Sequence, residues 1–190
     1  MKLYLASTSP RRLTILKRLD LPFKPLQPAI TEPQISTTNN PAKLATTLAF
    51  LKAFSCTKQI KTGLIIGMDT IVVIKNRVLG KPADATRARQ MLKLLSGKTH
   101  QVITAIALIK LPEYQIYTGA EKTSVSFRRL SPQEIESYLG TAEPYDKAGA
   151  YAIQGKAALF VSRISGCYLN VIGLPVNLLF TLLRQAGWKE

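Results

Sequence analysis

Apolar residues along the chain fall into short continuous runs and helix-spaced stripes, punctuated by Pro, Gly and Asn. Leu3–Ala6 is a short apolar run and predicts a buried strand. Ser9-Pro10 opens a helix, with Ser as cap and Pro tolerated at the first helical position. Its apolar stripe is Leu13, Leu16 and Leu19, with Ile15 at the edge. Residues 22–40 hold four prolines and few apolar residues, which predicts an extended loop. Asn40-Pro41 repeats the helix-start signal, and a helix follows to about Thr57. Gly63–Ile74 is an apolar run interrupted by Gly67, Asp69 and Thr70, and predicts a central strand. A turn at Lys75-Asn76-Arg77 and a return at Val78-Leu79 lead into Gly80-Lys81-Pro82. Asp84 caps a third helix with Ala88, Met91, Leu92 and Leu95 inside, and Gly97 stops it. Gln101–Leu111 and Gln115–Phe127 predict two long strands. Ser131-Pro132-Gln133-Glu134 is a capping box for a helix to Leu139. Gly149–Ile153 and Ala158–Ile164 are further strand candidates, and Pro175 starts a last helix through Leu178, Leu179, Leu182 and Leu183. Strands and helices mix without strict alternation. The expected class is α/β, a mixed twisted sheet flanked by helices.

Composition narrows the function. The chain has 190 residues and is 46% hydrophobic, which excludes a disordered chain and suits one domain spanning 1–190. Cys56 and Cys167 alone exclude a disulfide scaffold and fit a reduced compartment. No apolar run reaches the roughly 20 residues of a bilayer span, and Lys2–Ala6 is too short for a secretory signal core. The expectation is a soluble, cytoplasmic protein without a membrane partner. Lys and Arg number 26 against 11 Asp and Glu, a net charge of +15, so the partner should be an anion.

Candidate chemistry stands where a residue is locally unfavourable. Arg11 and Arg12 occupy a first helical turn, where the macrodipole disfavours cations. With Ser7 and the free N–H groups there, they form an anion pocket, although a solvated helix end reads the same way. Asp69 is a carboxylate inside an apolar run, costly to bury unless paired or bound to a metal; capping a turn is the plainer role. Gly67 shares its face and leaves room for something beside it. Lys52 lies on a helical face of Ala45, Ala49 and Cys56, from where it reaches a site or extends to water. Gly80-Lys81-Pro82 lacks the upstream glycine of a P-loop. Glu32 is the sole acid between Asp20 and Asp69. Gln154, ending the expected strand 149–153, offers a donor and an acceptor side by side. His100, the only histidine, has no partner pattern for nucleophilic catalysis and reads as structural.

Taken together, these blocks resemble the Maf family of nucleoside triphosphate pyrophosphatases nearly end to end. The matching segments are residues 5–12, Glu32, Lys52-Ala53, Gly67-Met68-Asp69-Thr70, Gly80-Lys81-Pro82, Leu95-Ser96-Gly97 with His100, residues 146–155 and residues 168–175. The resemblance implies two lobes around a nucleotide cleft, related to inosine-triphosphate pyrophosphatases. It implies hydrolysis between the α and β phosphates, a divalent metal (Mg²⁺ or Mn²⁺), a homodimer and a link to arrest of cell division. The family's functional positions fall on Ser7, Arg11, Arg12, Glu32, Lys52, Asp69, Lys81 and Gln154. Asp69 is then the proton acceptor, and Arg12, Thr70 and Gln154 bear on base choice.

Residue chemistry agrees with that reading. Ser7, Arg11, Arg12, Lys52 and Lys81 suit a triphosphate, and Glu32 and Asp69 are hard oxygen ligands. A Gln amide complements N3–H and O4 of uracil or thymine, and the resemblance, with Thr70 and Gln154 at the positions that bear on base choice, implies the dTTP/UTP branch. Many family members carry Asp before the loop Glu; here Thr31 stands there. The alternative is a basic nucleic-acid-binding or cell-division regulatory protein without catalysis. It lacks interleaved aromatics and any recognised nucleic-acid motif, and it predicts steeply salt-sensitive duplex binding.

Overall fold

The computed structural model describes residues 1–30 and 37–189. A seven-stranded mixed sheet runs in the order β2-β1-β3-β5-β6-β7, with β4 on the edge of β3. The strands are β1 (Leu3–Ala6), β2 (Phe23–Leu26), β3 (Gly63–Ile74), β4 (Arg77–Leu79), β5 (Thr99–Leu111), β6 (Gln115–Phe127) and β7 (Val161–Ser165). The helices are α1 (Pro10–Arg18), α2 (Pro41–Phe54), α3 (Ala85–Leu95), α4 (Pro132–Leu139), α5 (Tyr168–Ile172) and α6 (Val176–Gln185). β1 is parallel to β2 and β3, and the remaining pairings are antiparallel. The expected α/β class with a helix-flanked mixed sheet is therefore the observed one.

β3 shows the period of two that organises the molecule. Leu64, Ile66 and Met68 join Leu3, Leu5, Leu16, Leu179 and Leu183 on the face covered by α1 and α6. Ile65 lies with Ala53 and Cys56, and Ile71 and Val73 lie with Ala45, Leu48 and Ala49, on the face covered by α2. A third cluster gathers α3, α4 and Tyr151 around Val72, Val102 and Phe127 at the other end of the sheet. No helix among the described residues is long and apolar enough to cross a membrane.

Several local expectations need correction. Phe23–Leu26 is a strand rather than loop; Pro25 is tolerated because β2 is an edge. The helix at 41 ends at Phe54, and Thr57–Gln59 forms a separate 3₁₀ turn. Gly149–Ile153 is not a strand: Gly149 and Ala150 have φ of 72° and 60°, which extended chain cannot use. Lys156–Phe160 is a 3₁₀ turn, so the strand expected from Ala158 begins only at Val161. Ser9 makes no side-chain cap; the Ser9 N–H instead donates to Ser7 Oγ at 3.2 Å. Leu19, expected on the inner stripe, is exposed.

Candidate active site

The pairing registers of β3 leave a notch. β1 pairs with Leu64–Gly67, and β4 pairs with Val72–Ile74 along the same edge. Among the described residues, no strand pairs with residues 68–71 on that side. Chain leaves the notch in both directions: Ser7–Ser9 run from β1 into α1, and Gly80-Lys81 follow β4. The notch opens into a cleft of about 1270 Å³, lined by Ser7, Arg11, Arg12, Lys52, Asp69, Thr70, Lys81 and Gln154 among others. Every sequence-singled site residue except Glu32 thus lines one cleft. Glu32 and Thr31 lie outside the described residues.

Alternation puts Asp69 and Thr70 on opposite faces of β3 at the notch. Asp69 points toward α2 and is only 6% exposed. It forms an ion pair with Lys52, whose Nζ donates to Asp69 Oδ1. What allows this is Gly67. A Cβ there would lie 2.2 Å from Ala49 O and 2.7 Å from Ala53 N, so the room left by Gly67 is filled by α2 backbone. The small face of α2 seats directly on the strand and carries Lys52 to the carboxylate. A buried carboxylate needs such a partner.

Thr70 faces α1 and meets Arg12. Arg12 Nε donates to Gly173 O at 2.8 Å, Nη1 to Met68 O at 3.0 Å and Nη2 to Thr70 Oγ1 at 3.0 Å. Nη1 also lies 3.4 Å from Ser7 Oγ. Arg12 is 8% exposed, and much of its fork ties α1, β3 and the turn after α5 together. Beyond Thr70 runs a buried chain of polar groups. Thr70 Oγ1 and Thr104 Oγ1 are 2.9 Å apart, and Thr104 Oγ1 donates to Asn170 O at 3.0 Å. Asn170 Oδ1 accepts the Thr104 N–H, and Nδ2 donates to Val102 O and Thr123 Oγ1.

Arg11 is half-buried; desolvation lowers its guanidinium from the ordinary value, and the Asp146 charge pulls it back up. Lys147 pairs with Asp146. Lys147 and Arg87 also line the cleft, and sequence reasoning missed both. Arg87 had no signal, because it reads as the solvated side of α3. Lys147 was hidden inside a quoted block with no reason to prefer it. Gln154 stands in a turn instead of at a strand end, and its side chain is exposed to the cleft. His100 is buried, as a structural reading requires; its Nε2 meets Tyr151 Oη at 2.8 Å. Burial holds the ring down at about 4.

The chain is similar to known proteins along nearly its whole length. The dTTP/UTP pyrophosphatase of Carboxydothermus hydrogenoformans is 48% identical over 188 residues, 99% of this chain and 100% of that protein. That of Caldanaerobacter subterraneus subsp. tengcongensis is 46% identical over 186 residues, 97% of this chain and 89% of that protein. That of Alkaliphilus oremlandii is 48% identical over 185 residues, 97% and 95% of the two chains. The Ham1 protein of Staphylococcus aureus superposes with a TM-score of 0.55 at 13% identity, over 98% of this chain and 100% of that one, a likeness of fold. A family model described as Maf-like protein matches residues 2–186. That match takes in both walls of the notch and the cleft they open into, and the chain belongs to the Maf family.

Proposed function

We propose that this protein hydrolyses nucleoside triphosphates between the α and β phosphates, with dTTP and UTP as substrates and a nucleoside monophosphate and pyrophosphate as products. The carrying observation is the buried Asp69–Lys52 pair at a notch whose rim bears Ser7, Arg11 and Lys81. The names of the similar proteins support the same reaction.

Lys52 holds the Asp69 carboxylate in one orientation, and Asp69 accepts the proton of an attacking water. The water oxygen bonds to the α phosphorus, the bond to the α–β bridging oxygen breaks, and pyrophosphate leaves in line. Arg11, Lys81, Lys147 and the Ser7 hydroxyl offset the charge on the phosphates. The Gln154 amide reads the base: its carbonyl accepts N3–H of uracil or thymine and its NH₂ donates to O4. Arg12 and Thr70 brace the wall on which the substrate rests.

The donor set fits a divalent cation that arrives with the nucleotide. Among the described residues no group of three or more His, Cys, Asp or Glu forms a cage, whereas Mg²⁺ typically needs only one or two carboxylates beside phosphate oxygens. Asp69 would hold it, with Glu32 as the proposed second ligand. When bound, it would add positive charge at the phosphates.

Asp69→Asn is the test. The shape is kept and the proton acceptor lost, so pyrophosphate release from dTTP should fall by about 10²–10⁴-fold with a native far-UV circular dichroism spectrum, while the melting temperature drops because buried Lys52 loses its charge partner. Turnover near the native rate would overturn the assignment.

A further inference from the structure

Gln154 is not held by sheet pairing, so other groups must orient it. Tyr138 Oη, on α4, accepts the Ala152 N–H at 3.1 Å. Tyr151 Oη meets His100 Nε2. Both of these grips precede Gln154. The residues after it are held by Glu143, in the 3₁₀ turn Glu143–Asp146. Both Glu143 oxygens accept the Lys156 N–H, Oε1 at 3.2 Å and Oε2 at 3.0 Å. Lys156 opens the turn Lys156–Phe160, so this carboxylate caps it. Gly155 is seated hard against the same group: a Cβ there would lie 2.2 Å from Oε2 and 2.6 Å from Oε1.

Glu143 also lines the cleft. A carboxylate facing a tetra-anionic substrate opposes binding, so its presence calls for a compensating role. A charge-assisted bond to a backbone N–H is about twice as strong as a neutral one, and it fixes direction.

We propose that Glu143 is a positioning residue for base recognition: its carboxylate fixes the Gly155–Lys156 backbone and thereby aims the Gln154 amide. The proposal rests on Gln154 as the base-reading group. It assigns Glu143 no contact with phosphate or with the reacting water. Its effect should therefore be confined to the base end of the cleft.

The test uses the 190-residue protein, its variants Glu143→Ala, Glu143→Gln and Gln154→Ala, and the double variant Glu143→Ala/Gln154→Ala. It measures kcat/KM for dTTP and GTP, and inhibition by dTMP and by pyrophosphate. Glu143→Ala should weaken dTMP and narrow the preference for dTTP over GTP by about tenfold each, while pyrophosphate inhibition stays at least as strong as in the native protein, because a repelling charge is removed. Glu143→Gln retains an acceptor for the Lys156 N–H and should recover most of the preference. In the double variant the effects of Glu143→Ala and Gln154→Ala should not add. If Gln154→Ala loses the preference while Glu143→Ala keeps it, Glu143 has no positioning role. If both keep it, the base-reading role of Gln154 falls as well. Equal loss of dTMP and pyrophosphate inhibition means general disruption and overturns the proposal. Should Glu143→Ala not fold, Gly155→Ala displaces the same carboxylate from the other side and must give the same split.

Discussion

Gly67→Ala perturbs the active site without touching substrate. The new Cβ would lie 2.2 Å from Ala49 O, 2.7 Å from Ala53 N and 2.8 Å from Ala53 Cβ. An ordinary carbon–oxygen contact needs about 3.3 Å, so α2 must lift by roughly 1 Å. Two of the three clashing atoms are backbone, and no rotamer change relieves them. Lys52 precedes Ala53 and rises with the helix, while Asp69 stays with the strand. Overpacking of this kind costs about 1–3 kcal/mol, a fall in melting temperature of roughly 6 °C for a chain of this size. A misplacement of about 1 Å at a reacting group costs on the order of 10²-fold in rate. Urea unfolding and pyrophosphate release from dTTP measure the two effects, with Gly140→Ala, which meets only ordinary contacts, as the control. Native stability and native kcat in Gly67→Ala would refute the close seating of α2. Lost stability with native kcat would refute the claim that this seating places Lys52 on Asp69.

Three further outcomes are expected. The folded His100 stays neutral down to about pH 4, whereas in the unfolded chain it titrates near ~6.5. The unfolded state therefore binds the extra proton between those values, and stability, full above pH 6.5, falls by about 3 kcal/mol as pH drops to 4. His100→Gln should flatten that slope in urea melts, and an equal slope in both proteins would refute it. Asn170→Ala leaves the Thr104 N–H and Val102 O without their side-chain partner, so unfolding free energy should drop by about 3 kcal/mol; a loss below about 1 kcal/mol would contradict the buried network. Lys52→Met removes the partner of Asp69 and should lower kcat for dTTP by about 10²-fold or more, and a native kcat would show the ion pair to be incidental.

Legibility in the sequence followed the range of the physics. β3, β5 and β6 stand out because buried strands read as continuous apolar runs, and Asp69 stands out because it interrupts one. Ser131 with Glu134 is a local signal, and both hydrogen bonds of its capping box form. β2 was hidden by Pro25, which only the sheet order shows to be at an edge. Gly149 and Ala150 broke an expected strand through positive φ that an alanine does not advertise. α5 spans five residues, too short for a periodic signal. Gly67 leaves room on its face of the strand, a local fact, but that α2 fills it is a tertiary one. The roles of Arg12 and Glu143 depend on Gly173 and on Lys156, distant in sequence, and no local pattern announces either pairing.

The reaction is tested most directly by identifying what dTTP becomes. Purified protein, dTTP and Mg²⁺ followed by ³¹P NMR would resolve the products by their phosphorus signals. Cleavage at the α phosphate, with Asp69 at the notch, should give dTMP and pyrophosphate in equal amounts. Formation of dTDP with orthophosphate, or no turnover at all, would contradict it.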